Sequence, residues 1–286
     1  MLCSRTLSLT TAAAAALLAA PCSGAIAQSS IASYGVTAAA FGFEDGHQEQ
    51  ALGAIVQLTP TRWLALGASP TLLRVTSLDG SSSHFGVTDL PVFAGVVHTF
   101  AAPWRPTIGV AGVASLPTGD ASQGLGRGQS LVSAQGALSV SPLPVIALRA
   151  GASRLLRMGD SIPNGVPTTS LFGDVVLLAG AHTNMSVGYA TELRGDAPST
   201  YEPARAINAA IVHSLLGPVV LGISAGHTLS GAGPRWSLAF GIGTAFAGLS
   251  PVGATSPSAR GAGGMTSPTG GLPSIGGASC RLLVGC

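Results

Sequence analysis

Arg235-Trp-Ser-Leu-Ala-Phe-Gly-Ile-Gly-Thr-Ala-Phe246 alternates large apolar residues with small ones. Successive side chains of a β-strand point to opposite faces. One face of this stretch carries Trp236, Leu238, Phe240, Ile242 and Phe246, and the other carries Arg235, Ser237, Ala239, Gly241, Gly243 and Ala245. The stretch therefore predicts a strand with a face suited to lipid and a face suited to a lumen.

The same alternation recurs along most of the chain, for example in Glu49–Leu58 and Thr107–Leu116. Strands of about ten residues have the length that crosses a bilayer at the tilt of a barrel. Apolar and polar alternation predicts twelve strands, near residues 31–43, 49–58, 62–75, 86–98, 106–116, 130–140, 144–157, 168–180, 185–194, 204–215, 218–228 and 235–247.

The connections between these strands alternate in length. Tight turns are predicted at 59–61, 141–143, 181–184 and 216–217, and long segments rich in Gly, Ser, Pro and Asp at 76–85, 117–129, 158–167 and 195–203. Short turns at one end and long loops at the other are typical of an outer-membrane barrel. We therefore predict an all-β fold, a transmembrane antiparallel up-and-down β-barrel of about twelve strands. Pro70 and Pro91 interrupt two of the strands, since proline cannot donate to a ladder.

The composition supports a membrane protein. The chain is 47% hydrophobic and only 8% charged, with a mean hydropathy of +0.50, whereas soluble domains are about 25% charged. No segment after residue 27 has the roughly 18 apolar residues of a membrane helix, which leaves a barrel as the membrane-compatible fold. A net charge of +2 gives no basic face for nucleic acid. A secreted β-sandwich is the rival fold, but it needs a polar outer face.

Three segments differ in composition. Residues 1–27 have the pattern of a cleaved signal peptide, with Arg5, an apolar core and Ala25-Ile-Ala27. Residues 28–250 are predicted to form the barrel, exported through the periplasm to the outer membrane. Residues 251–286 are rich in Gly, Ser and Pro, which predicts a disordered tail, and its Cys280 and Cys286 could pair with each other.

Alternation places a few polar side chains on the lumen side of the predicted barrel. Such residues either line a solute path or pair across the lumen as a plug. We expect an ion pair between Asp89 and Arg149, because exposing either alone to lipid would be costly. The candidates for lumen or selectivity residues are Glu49, Gln57, Asp89, Gln135, Arg149, Asp174, Glu192 and Asn208.

No catalytic site is predicted. Gly222-Ile-Ser-Ala-Gly226 matches the G-x-S-x-G pattern, but that elbow requires a following helix, and Ser224 lies within a strand on the face opposite to His227. The six histidines show no metal-ligand spacing, so neither a metal nor a cofactor is expected. The glycines at 124, 126 and 128 lack the Lys-Ser/Thr of a phosphate loop and predict a flexible, exposed outer loop, with Asp120, Gly124, Gly126, Arg127 and Gly128 as its notable residues.

One segment resembles a known family. Gly86-Val-Thr-Asp-Leu-Pro91, Leu116-Pro-Thr-Gly-Asp120 and the following glycines resemble the outer-membrane transporter-like proteins linked to the meta-pathway of phenol degradation. The likeness covers about residues 84–140. It implies an outer-membrane β-barrel and the passage of small organic molecules, and it carries no catalytic residue. Unlike barrels that end on a C-terminal aromatic residue, this chain continues well beyond Phe246.

The function predicted from the sequence is that of a channel or transporter for small neutral or weakly polar organic molecules. The alternatives are a closed structural or adhesive barrel acting through its long outer loops, and a secreted β-sandwich binding protein. The expected partners are outer-membrane lipid, the barrel-assembly machinery and small hydrophobic or neutral solutes, and not nucleic acid.

Overall fold

A computed structural model describes residues 32–61, 63–76, 82–159, 169–180, 182–193, 202–215, 219–231 and 233–244. These residues form fourteen β-strands and one short 3-10 turn at Ala121–Gln123. The strands are β1 Ala32–Gly42, β2 Gln48–Thr61, β3 Leu64–Ala68, β4 Thr71–Thr76, β5 Ser83–Val87, β6 Leu90–Thr99, β7 Thr107–Leu116, β8 Leu131–Leu143, β9 Ile146–Met158, β10 Thr169–Leu178, β11 Thr183–Leu193, β12 Arg205–Ser214, β13 Val220–Ser230 and β14 Trp236–Gly243.

The strands form one closed antiparallel sheet. From β6 to β14 each strand pairs with its neighbours in sequence, and β1 pairs with both β14 and β2, which closes the ring. β3 and β4 together span the barrel wall once, and so do β5 and β6. Each such span is called a crossing, and the fourteen strands therefore make twelve crossings. The predicted twelve-strand barrel is confirmed. The β-sandwich alternative is wrong, because closure leaves no second sheet to pack against the first.

The two split crossings lie beside the prolines. β3 and β4 separate at Ser69–Pro70 without a change of register on β2. β5 and β6 separate at Thr88–Asp89, where the register against β3 and β4 shifts by one residue. The extra residue acts as a β-bulge, which bends a strand and changes the direction of its side chains. Backbone hydrogen bonds from Ser69 to Pro91 and from Thr88 to Thr71 hold the two breaks together.

The wall has the two faces that the sequence predicts. Large apolar side chains such as Val187, Leu238 and Phe240 are exposed on the outward face. Their neighbours along the strands face inward and are small or buried, such as Ala239 and Ser237. Because opposite residues of paired strands share a face, this assignment can be followed from strand to strand round the ring. Within the described residues, no helix is long and apolar enough to cross a membrane.

Two predicted segments lie outside the described residues. These are the signal peptide at 1–27 and the tail at 251–286, which includes Cys280 and Cys286.

Candidate functional site

The inner wall of the barrel is the candidate site. Cross-strand register places seven of the eight predicted polar side chains on it, which are Glu49, Gln57, Gln135, Arg149, Asp174, Glu192 and Asn208. Most of the remaining inward positions carry Gly, Ala, Ser or Thr. The sequence period alone therefore located these side chains, although it did not identify their partners.

Arg149 and Asp174 form the ion pair of the inner wall. They are direct neighbours on β9 and β10, and Arg149 Nε donates to Asp174 Oδ1 at 2.7 Å. The Arg149 side chain is 42% exposed, whereas that of Asp174 is 14% exposed. The expected partner of Arg149 was Asp89. That pairing is wrong, because the register of β9 on β10 brings Asp174 beside Arg149 and the carboxylate of Asp89 binds elsewhere.

A glycine extends this polar line to β12. Gly188 lies between Asp174 and Asn208 in the register. A Cβ at position 188 would lie 2.5 Å from Asn208 Oδ1 and 3.0 Å from Asp174 Cβ, so only glycine leaves room for the asparagine amide. The wall thus carries a charge pair and a neutral amide side by side.

Asp89 holds an outer loop. Its Oδ1 accepts from the Gly119 N–H at 3.1 Å and its Oδ2 accepts from the Arg127 N–H at 2.8 Å. The hydroxyl of Thr118 donates to the Thr88 carbonyl at 2.8 Å. The bulge between β5 and β6 therefore anchors both ends of the segment 117–130, which we call the mouth loop.

The mouth loop is folded against the inner wall. Gly124, Leu125 and Gly126 are buried, and a Cβ added to the inward Gly86 would lie 2.7 Å from Leu125 Cδ1. The prediction of an exposed, flexible loop for Gly124–Gly128 is therefore wrong at these positions. Burial lowers the pKa of Arg127, although the charge of Asp89 opposes that shift. Hydrogen bonds to a carboxylate 30 and 38 residues away order a segment whose composition suggests a flexible chain.

Asp120 begins the 3-10 turn inside the mouth loop. Its Oδ1 accepts from the Ser122 hydroxyl at 2.6 Å and from the Ser122 N–H at 2.9 Å. These hydrogen bonds hold the pKa of Asp120 below its ordinary value. A lowered carboxyl pKa stabilises the folded loop above the ordinary pKa, and that contribution is lost as the pH falls through the lowered value. The turn ends at Gly124, whose φ is 76°, a left-handed conformation that favours glycine.

A second cluster lies at the connection between β1 and β2. The His47 ring stacks on Phe43, with ring centroids 4.0 Å apart. Its Nδ1 is 2.5 Å from Asp45 Oδ1, and its Nε2 is 3.6 Å from Oε1 of Glu49, which is only 2% exposed. Burial of Asp45 opposes its ionisation, but the hydrogen bonds and charge of His47 outweigh it and lower the pKa of Asp45. The connection between β1 and β2 therefore holds His47 between two carboxylates and against the Phe43 ring.

Glu192 and Ser224 are two further inward side chains, and both are buried. Glu192 Oε2 accepts from the Ala204 N–H at 3.0 Å, so this carboxylate anchors the approach to β12. Ser224 is buried, and its Oγ has no hydrogen-bond partner among the described residues. His227 lies on the outward face of the same strand, as the alternation predicted. Ser224 and His227 are therefore on opposite sides of the wall.

Close packing inside the mouth loop gives a testable prediction. A Cβ on Gly126 would lie 2.5 Å from Asp89 Oδ1 and 2.8 Å from two backbone atoms of Gly119. We expect Gly126→Ala to destabilise the loop by about 1–3 kcal/mol, the usual range for overpacking. Hydrogen exchange at the Gly119 and Arg127 amides should accelerate. Gly112→Ala is the control, since a Cβ there meets nothing within 4 Å. Equal exchange in both variants would contradict the prediction.

The architecture defines a membrane β-barrel of the outer-membrane type, and a solved structure of similar fold agrees with it. No family model matches the chain, and no curated protein matches it either. The COG4313 outer membrane channel from Pseudomonas putida F1 is similar in structure, with a TM-score of 0.54, 15% identity and coverage of 77% of this chain and 99% of that one. The KdgM porin has a TM-score of 0.49 at 8% identity, covering 75% and 99%. Outer membrane phospholipase A from Escherichia coli has a TM-score of 0.43 at 11% identity, covering 74% and 89%. At these identities the likeness concerns the fold alone.

Proposed function

We propose that this protein is an outer-membrane channel for small neutral or weakly polar organic molecules. The observation that carries the proposal is an inner wall of mostly small side chains whose few charged groups are each held by another group of the protein. Arg149 is paired with Asp174, Glu49 faces His47, and Asp89 and Glu192 each bind backbone N–H groups. A lumen lined by small side chains, with its few charged groups already engaged by the protein, leaves a path that suits neutral or weakly polar solutes better than ions.

The resemblance of the 86–91 and 116–120 segments suggests which solutes to test first. Proteins with these motifs are linked to the meta-pathway of phenol degradation, so phenol and related single-ring aromatics are the first choice. The COG4313 structure, described as an outer membrane channel, makes a channel a reasonable hypothesis for a chain with the same fold.

A closed structural barrel is the second candidate, and a specific observation favours it. Leu125 packs on Gly86, and many inward side chains toward the mouth loop are buried, among them Leu131, Ser133, Ser153 and Ser170. Such packing would close the outer half of the lumen. The two candidates differ in whether a solute passes the mouth loop.

Swelling of proteoliposomes with graded neutral solutes separates the candidates. The folded barrel should admit small sugars and phenols and exclude larger solutes, because an inner wall of fixed radius sets a size limit. The control is the same lipid without protein, and heat-modifiable gel migration verifies folding. A folded barrel that admits no solute would reject the channel and favour the closed barrel.

A further inference from the structure

Three arginines face outward near the same end of the barrel. Arg74 on β4 is paired with the outward positions Gln50 and Phe85. Arg154 on β9 is paired with Ala134 and Thr169. Arg205 begins β12 opposite Thr191. Each lies within five residues of the end of its strand that leads to the long connections, so all three belong to the rim on the side of the mouth loop.

These guanidinium groups have no acidic partner among the residues that the structure describes. The described strands carry three carboxylates, and all three face inward. They are Glu49, Asp174 and Glu192. Among the described strand residues, the outward face therefore carries only positive charge at this rim. An unpaired cation on the lipid face is costly at the bilayer midplane and much less so near the interface, which indicates that this rim lies at headgroup level.

We propose that Arg74, Arg154 and Arg205 form a belt that binds the phosphate groups of lipid headgroups in the outer leaflet. This inference rests on the outer-membrane location in the proposed function. A guanidinium binds a phosphate through two parallel hydrogen bonds and stays charged at any physiological pH. Phosphate supplies the negative charge that the outward face of the described strands lacks.

Arg154 and Arg205 are placed to act on one lipid. β10 and β11 separate their strands, and three interstrand spacings amount to about 14 Å. Of the outward positions between them, Thr169 carries a hydroxyl group that can donate to a phosphate or sugar oxygen. The hydroxyl of Thr191 donates instead to the Glu192 carbonyl at 3.2 Å. A headgroup with two phosphates could therefore engage both arginines and the Thr169 hydroxyl between them.

The test measures binding of diphosphorylated lipid A to the full-length protein in detergent by native mass spectrometry. The double variant Arg154→Gln/Arg205→Gln should bind lipid A about tenfold more weakly, because it loses two charge-assisted contacts. Arg105→Gln is the control, since Arg105 lies in the turn between β6 and β7 at the opposite end of the barrel, and it should bind like the unaltered protein. The double lysine variant keeps the charge without the planar fork and should give an intermediate affinity.

Two results would overturn the proposal: equal lipid A affinity in the double variant and the unaltered protein, or equal affinity of the unaltered protein for lipid A stripped of its phosphates. Solute permeation is measured on the same preparations. A belt variant that loses lipid A and keeps permeation supports the belt, while a preparation that binds lipid A and passes no solute rejects the channel alone.

Discussion

Replacing Val187 by arginine is expected to destabilise the lipid-embedded barrel by about 2–4 kcal/mol, the cost of a basic residue at the midplane of a barrel's lipid face. Val187 is 65% exposed on the outward face. It lies near the middle of β11, and its register neighbours Val175 and Ala209 are apolar. No acid on these strands faces outward beside it, so the new charge would have no protein partner among the described residues.

Equilibrium unfolding by denaturant from lipid vesicles measures this loss. The matched control is Ser186→Arg, the adjacent residue on β11, which faces inward. An arginine there meets the polar lumen, so its cost should be clearly smaller. Equal losses in the two variants, or none in Val187→Arg, would contradict the assignment of the outward face to lipid.

The difference between Val187 and Ser186 was readable from the sequence because a strand has a period of two residues. The same period placed Leu238 and Phe240 outward and Arg149 and Asp174 inward. Closure of the barrel followed from composition, since an apolar chain without a long apolar segment has few other ways to pair its backbone in lipid. These features depend on local pattern, and the structure agrees with them.

The partners of the inward charges depend on register and were not readable. Pairing of Arg149 with Asp174 is fixed by how β9 aligns with β10 across the connection 159–168, and connection length alone does not determine that alignment. The direction of the Asp89 side chain depends on the extra residue at Thr88–Asp89. In the sequence, Pro91 was the one local sign of that irregularity. A bulge changes the direction of the side chains on one side of it, so alternation followed through it assigns the wrong face to residues such as His84.

Replacing Asp89 by alanine is expected to release the mouth loop. The carboxylate accepts two backbone hydrogen bonds, from Gly119 and Arg127. Hydrogen bonds to a charged group contribute about 1.5–3 kcal/mol each, so the loss should be about 3 kcal/mol or more. Local opening should rise about 100-fold, since each 1.4 kcal/mol is a factor of ten. Hydrogen exchange at the Gly119 and Arg127 amides measures that opening.

Two controls separate the anchor from general damage. Asp120→Ala removes a carboxylate from the same loop, but one that binds only the neighbouring turn, so exchange at Gly119 and Arg127 should change less. Asp89→Asn keeps one carbonyl oxygen as an acceptor and should lie between Asp89→Ala and the unaltered protein. Unchanged exchange in Asp89→Ala would show that the loop is held by the packing of Leu125 on Gly86 instead.

Single-channel recordings of Asp89→Ala connect the loop to function. If the mouth loop narrows an otherwise open lumen, its release should raise the conductance and increase current noise, because a mobile loop leaves and re-enters the path. If inward side chains such as Leu131 and Ser133 close the lumen by themselves, exchange should accelerate while the conductance stays at zero. Because hydrogen exchange reports the loop and current reports the path, the two measurements together identify which element controls passage through the barrel.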